Sequence, residues 1–258
     1  MHRSQSLAPL LGLIAGLALT SQPAQAETTP REIVEKSEAL RQIDNSIQQM
    51  KMTLVSKAGN TRVREFELKV RRDDDAVRSH TRFLAPADVA GTSMVIVDHP
   101  DTVDEQLLYV PALKRVTRIS GRARSGSFLG SDFSFEDLEI NNADDSVHTL
   151  LSETADQWVI ETRPGEDSSY GRIVSTVRKS DYLPVKVDYF DSKDTALKTL
   201  TVTDTLEAGG ATYPKTSEMV NHKKGTKTLL QIQEYRVDVP ADELPDSLFS
   251  QTALERGG

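Results

Sequence analysis

The 258 residues contain no cysteine. That excludes disulfides, thiolate metal sites, a cysteine nucleophile and a lipid anchor carried on cysteine. Stability must therefore come from the packed core. Histidine is sparse too. His80, His99, His148 and His222 are scattered, with no H-E-x-x-H motif and no close pair. Neither a G-x-S-x-G elbow nor a phosphate-binding glycine loop is present. Asp98-His99-Pro100-Asp101 reads as a turn rather than a metal site. Neither a cofactor nor catalysis is expected. The chain also lacks a cationic excess, with a net charge of −8. This argues against nucleic acid as a partner, and the charge serves solubility.

Only the N-terminus carries a long apolar stretch. His2 and Arg3 precede Leu7–Leu19, and Ala24-Gln25-Ala26 comes next as an A-x-A site. That order predicts a secretory signal peptide over residues 1–26, cleaved after Ala26. Residues 27–258 then form the mature protein, expected to be one soluble β domain in the periplasm. Loss of Arg3 makes it one charge more negative.

Thr29-Pro30-Arg31-Glu32 fits a capping box with proline in the first turn, so a helix is expected from Pro30 to about Arg41. Beyond this helix most of the chain has period two. Phe66, Leu68 and Val70 alternate with Glu65, Glu67, Lys69 and Arg71, the pattern of a half-buried antiparallel strand. Such segments recur near 47–57, 61–72, 76–84, 92–98, 105–110, 114–119, 146–153, 157–163, 171–179, 184–190, 195–205, 212–221 and 226–237. Short turn signals between them predict an antiparallel meander. The tail from Pro240 reads as irregular, anchored by Leu244, Leu248 and Phe249.

A sheet this wide must curl, close or split into layers. The sequence offers two helical pieces as cover, 30–41 and 134–138. A fully packed core and a hollow beneath a lid both satisfy the pattern. In the second case Phe66, Leu68, Val70, Phe83, Met94, Ile96 and Leu108 would line an acyl pocket, with the flexible thioether of Met94 adapting to its contents. Residues 120–132 break the strand pattern as a polar loop. Lys114, Arg115, Arg118, Arg122 and Arg124 form a basic patch within it and before it. Such a patch is expected to dock anionic headgroups or an acidic partner. Phe128, Asp132, Phe133, Phe135 and Leu138 are expected to form the lid, with Asp132 capping its short helix.

Four segments carry a resemblance. They are Thr81–Pro86, Val89–Met94, Leu108–Val116 and Gly130–Leu138. With the signal peptide and the meander, they resemble the outer membrane lipoprotein-sorting protein family, relatives of the periplasmic carrier LolA. The resemblance implies a mainly β fold: a strongly curved, incomplete antiparallel barrel with an N-terminal helix and a short helical lid on its concave side. It implies a non-catalytic periplasmic carrier or chaperone that takes a lipid, or the acyl chains of a lipoprotein, toward the outer membrane. The implied partners are an RND-type exporter in the inner membrane and an acceptor in the outer membrane. The alternative is an accessory or sensor protein of such an exporter or of an envelope signalling complex.

Overall fold

The computed structural model describes residues 28–41, 45–73, 76–99, 104–139 and 145–256. The predicted signal peptide lies outside them. All thirteen expected strands form. They are β1 (Asn45–Val55), β2 (Thr61–Arg72), β3 (Val77–Ala85), β4 (Ser93–Asp98), β5 (Glu105–Val110), β6 (Arg115–Ile119), β7 (Val147–Glu153), β8 (Gln157–Arg163), β9 (Arg172–Arg178), β10 (Pro184–Phe190), β11 (Ala196–Ala208), β12 (Ala211–Asn221) and β13 (Thr226–Val237). Every pairing is antiparallel, in one sheet ordered β6-β5-β4-β3-β2-β1-β13-β12-β11-β10-β9-β8-β7. Only β1 with β13 is non-local. The terminal strands of the meander meet, and the outer edges fall in mid-chain, at β6 and β7. The two edges do not pair, so the sheet stays open.

The sheet curls around the segment that joins its edges. Seven spacings separate β5 from β11, about 34 Å if the sheet were flat. Yet Gln106 on β5 bonds to Glu139, and Lys198 on β11 bonds to Asp137. Two residues span at most about 7 Å of chain. These ties close because the strands wrap around residues 126–139.

Helix α1 (Pro30–Ala39) has the predicted capping box: Glu32 N–H donates to Thr29 Oγ1, and Thr29 N–H donates to Glu32 Oε2 at 2.7 Å. Its fully buried Ile33 packs on Trp158, Ile160 and Val177. By register, Ile160 shares its face with Ser175, Val187, Leu200 and Met219, so α1 covers the β8–β9 end of the concave side.

The expectation of two covering pieces was incomplete. The tail is ordered structure, with 3-10 turns at Ala241–Glu243 and Asp246–Phe249 and a second helix, α2 (Gln251–Arg256). Leu244, Leu248 and Phe249 do anchor it, joined by a fully buried Leu254. They cover Val95, Val97, Leu107, Tyr109 and Val116 on the convex face. Val95 and Ile96 are thus both buried, on opposite sides of β4. A strand apolar on both faces needs two covers, and the tail is the second.

Candidate functional site: the covered concave face

Residues 126–139 form the cover. The expectation of a helical lid is corrected in part. The tip is a hairpin with a four-residue loop, Phe128 N–H donating to Phe133 O at 2.8 Å and Phe135 N–H to Gly126 O at 3.1 Å, and Ser131 N–H closes a tight turn onto Phe128 O at 3.0 Å. The central residues of that turn, Leu129 and Gly130, have φ of 49° and 77°. That is the left-handed pair a tight hairpin turn demands, and glycine takes it without a Cβ clash. Leu-Gly is a weak sequence signal for such a turn, which is why the segment reads as a loop and a helix in sequence. One 3-10 turn comes after it, at Glu136–Leu138.

The hairpin drives Phe128, Phe133 and Phe135 into a single apolar cluster with Met50, Met52, Phe66, Phe83, Met94, Ile96, Ile119 and Met219. Rings stack through it in sequence. Phe66–Phe83, Phe83–Phe128 and Phe128–Phe135 have centroid separations of 5.0, 5.7 and 5.8 Å. Such tilted and edge-on pairs add about 0.5–1.5 kcal/mol each beyond area burial. Leu68, Leu108 and Leu138 pack against its margin. Val70 lies outside the cluster, its register neighbours being the buried Ser46 and Ser79. The concave side is therefore filled by the cover's own aromatics.

Met94 is not alone as an adaptable side chain. The cluster holds every methionine after Met1, namely Met50, Met52, Met94 and Met219. It also holds five of the seven phenylalanines. Met50, Met52 and Leu54 alternate on β1, and that spacing was the available signal. Met219 becomes a neighbour only through the β12–β13 and β13–β1 pairings.

Acidic side chains hold the cover to the walls. Asp132 does not cap a helix. Its carboxylate accepts from Thr226 Oγ1 and Thr228 Oγ1 on β13, and its own N–H donates to Thr228 Oγ1 at 2.9 Å. Glu136 accepts from the N–H of Ser169 at 3.1 Å and from the hydroxyls of Ser168 and Ser169. Asp137 pairs with Lys198, their side chains 3% and 6% exposed. It also accepts from Tyr170 Oη at 2.7 Å and Ser134 N–H at 2.6 Å. Burial, followed by the Asp137 charge, pushes the Tyr170 phenol pKa up, so it stays a donor. Lys198 Nζ sits 5.2 Å from the Tyr170 and Tyr189 ring centroids. Glu139 pairs with Arg124 and accepts from Gln106 Nε2 at 2.7 Å. Near that last anchor, Asp104 has its pKa pushed up to about 7, by burial first and then by Asp98.

Ser134 Oγ lies 3.4 Å from Lys198 Nζ and 3.1 Å from Tyr170 Oη. Those residue types serve acyl transfer elsewhere. Here the ammonium is ion-paired with Asp137, and Ser134 lies buried beneath the cover. The trio reads as structural. Among the described residues, no cluster of three or more potential ligands could hold a metal.

The basic patch is not one surface. Arg124 is half-buried and pairs with the buried Glu139 carboxylate. Arg115 and Arg118 point to opposite faces of β6, an odd step apart on a strand of period two. Arg118 pairs with Glu105 at 3.3 Å, both side chains well exposed. Lys114, Arg115 and Arg122 remain exposed.

A cleft of about 320 Å³ opens beside the hairpin tip. Its walls include Leu54, Arg62, Gly130, Asp132 and Lys224. A second, of about 390 Å³, lies on the convex face among Gln49, Glu67, Lys69 and Arg236 and is lined by charge.

Comparison with known proteins fits this architecture. A family model described only as an uncharacterized protein matches residues 75–256. Comparison with curated proteins gave no match. Among solved structures, an outer membrane lipoprotein-sorting protein domain from Vibrio parahaemolyticus is 32% identical, with a TM-score of 0.81 over 88% of this chain and 98% of that one. A DUF1329 family protein from Desulfovibrio piger is 26% identical, with a TM-score of 0.81 over 87% and 97%. A LolA superfamily protein from Nitrosomonas europaea shares the fold at 17% identity, with a TM-score of 0.70 over 87% and 99%. By its match to the first of these along nearly its whole length, this chain belongs to the outer membrane lipoprotein-sorting protein family.

Proposed function

We propose that the protein is a periplasmic, non-catalytic carrier that holds a lipid, or the acyl chains of a lipoprotein, on the concave face after residues 126–139 swing out. The cluster beneath the cover carries this reading. It concentrates the protein's adaptable methionines and most of its phenylalanines under one segment tied down by separable polar contacts. Methionine suits a site that takes chains of varied shape. The cover's three buried phenylalanines are worth roughly 4.5–9 kcal/mol of burial. A sixteen-carbon chain is worth about 12 kcal/mol on the same scale. The surplus of about 3–8 kcal/mol is opposed by the polar ties that opening breaks, which narrows the gap between loading and release.

The lining is proposed as Phe66, Leu68, Phe83, Met94, Ile96 and Leu108, now joined by Met50, Met52 and Met219. Val70 would lie beyond it. Mass spectrometry of protein extracted from its native host tests the reading most directly. A stoichiometric acylated lipid is the expected result. In vitro, delipidated protein is expected to bind a fluorescent fatty acid, and Met94→Trp to weaken that binding at least tenfold. A native preparation free of lipid, with no probe binding by the delipidated protein, overturns the carrier. Stable co-purification with an exporter complex and no lipid would favour the accessory or sensor role instead.

A further inference from the structure

Antiparallel strands place successive turns on alternate rims of the sheet. Four turns adjacent in sheet order share one rim. They are β5–β6 (111–114), β3–β4 (86–92), β1–β2 (56–60) and β12–β13 (222–225). With their flanking residues they carry Lys57, Arg62, Lys114, Arg115, Lys223 and Lys224, all exposed. None of the six is ion-paired among the described residues. The only acid on this arc is Asp88. The other ends of the same strands carry Asp73, Asp98, Asp104 and Asp238. Asp73 there is paired with Arg71 and Arg78, and the first rim turns acidic beyond the arc, at Asp191 and Asp194 of the β10–β11 turn, so the arc is a local basic reversal in a protein of net charge −8.

The same rim carries bare apolar side chains. Leu113 is 66% exposed, Leu84 49% and Val63 41%. Leu113 stands at the tip of its turn, directly before Lys114 and Arg115. The turns are neighbours in space as well as in order. The Cγ of Lys57 lies 3.5 Å from where a Cβ on Gly225 would sit. The cleft beside Gly130 opens between the β1–β2 and β12–β13 turns, so the tip of the cover emerges on this rim.

We infer that this rim docks the protein on an anionic lipid surface, with Leu113, Leu84 and Val63 entering the interface and the hairpin tip facing the membrane. Charge complementarity selects the occupant. Six unpaired cations in one arc attract acidic headgroups, while the rest of the molecule is repelled, and that fixes orientation. Interspersed apolar side chains suit the headgroup–acyl boundary. The dock rests on the carrier reading only for its purpose, since it places the opening cover over the lipid source. Its residues differ from the predicted patch. Lys114 and Arg115 stay, Lys57, Arg62, Lys223 and Lys224 join, and Arg118, Arg122 and Arg124 lie off the arc.

Co-sedimentation of the mature protein with vesicles tests it. Vesicles of 30% phosphatidylglycerol in phosphatidylcholine are compared with pure phosphatidylcholine at low salt. Anionic vesicles are expected to bind at least tenfold more tightly, and the difference to collapse above about 0.5 M salt. Each basic residue near such a surface is worth about fivefold. The triple variant K57Q/K223Q/K224Q is therefore expected to lose about a hundredfold. Leu113→Ser tests the apolar anchor and is expected to lose severalfold. The control K186Q/K215Q/R163Q removes three cations away from this arc and is expected to change binding less than twofold. Equal binding to both vesicle types overturns the dock, as does equal loss in the two triple variants. The first result would point to an acidic protein surface as the partner. Fatty-acid probe binding in the same preparations reports on the carrier reading separately. Vesicle binding without probe binding keeps the dock and removes the carrier, and probe binding without vesicle preference does the reverse.

Discussion

Lys198→Met separates a cover that opens from one that is simply core. The substitution keeps an unbranched chain among Tyr170, Tyr189 and Ser134 and deletes the ammonium. Asp137 is left buried and unpaired, with only Tyr170 Oη and Ser134 N–H as donors. Breaking one side of such a pair costs about 3–5 kcal/mol. Where that cost falls depends on what moves. If residues 126–139 leave as a unit, Asp137 reaches water without global unfolding, and the penalty falls on the closed state alone. Hydrogen exchange at Phe128 and Phe135, whose amides close the hairpin, then speeds up by about 150- to 5,000-fold. Exchange in β1 and β2 stays nearly unchanged, and fatty-acid probe binding tightens because opening has become easier. The double variant K198M/D137N removes the stranded charge, with the amide oxygen accepting from Ser134 N–H and its NH2 donating to Tyr170 Oη, whose own proton turns to Ser134 Oγ, and it is expected to recover most of the loss. The reasoning is refuted if Lys198→Met lowers global stability by the full amount, with cover and strand amides exchanging together and no gain in probe binding. The cover would then be an integral part of the core.

Local geometry sets four further outcomes. Asp104 has a folded pKa raised to about 7, above its ordinary value near 4, so the native state binds the extra proton and loses this advantage as pH rises from 4 through 7. Asp104→Asn is expected to raise the thermal midpoint at pH 8 and to flatten its fall across that window. His80 runs the other way. Burial, then Lys69 and Arg82, push its pKa down to about 4, so native stability falls as pH drops from 6.5 toward 4. His80→Gln should remove that acid-side slope in urea titrations at stepped pH. A Cβ on Gly171 would sit 2.6 Å from the Asp191 carbonyl oxygen and the Ser192 Cα, so Gly171→Ala is expected to cost about 1–3 kcal/mol in chemical denaturation. Thr29→Ala removes the capping box of α1 and is expected to cost about 1 kcal/mol.

The thirteen strands and the start of α1 are legible in the sequence, whereas α2 and the hairpin of the cover are not. Period-two alternation marks all thirteen strands to within a few residues, because a strand with one buried face is inverted by a slip of one residue; the edge strand β7, exposed along nearly all its length, is the exception. Thr29-Pro30-Arg31-Glu32 set the start of α1, because its capping bonds span three residues. The aromatic run 128–138 is legible as a cover because so many apolar residues in a short polar loop need a surface to bury against. The partners those residues meet were decided only by tertiary structure. Asp132 was expected to cap locally and instead joins Thr226 and Thr228, ninety-odd residues away. Arg124 reads as part of a basic surface, and the curl of the sheet brings Glu139 and Gln106 to the same place, where Arg124 pairs with a buried carboxylate. Met52 and Met219 share a cluster because β1 closes on β13. The basic arc exists because antiparallel turns more than a hundred residues apart in the chain fall side by side. Local propensity and alternation act over a few residues and can be read in order. Charge pairing, cluster membership and the polarity of a rim depend on which strands become neighbours, and a linear pattern does not carry that information.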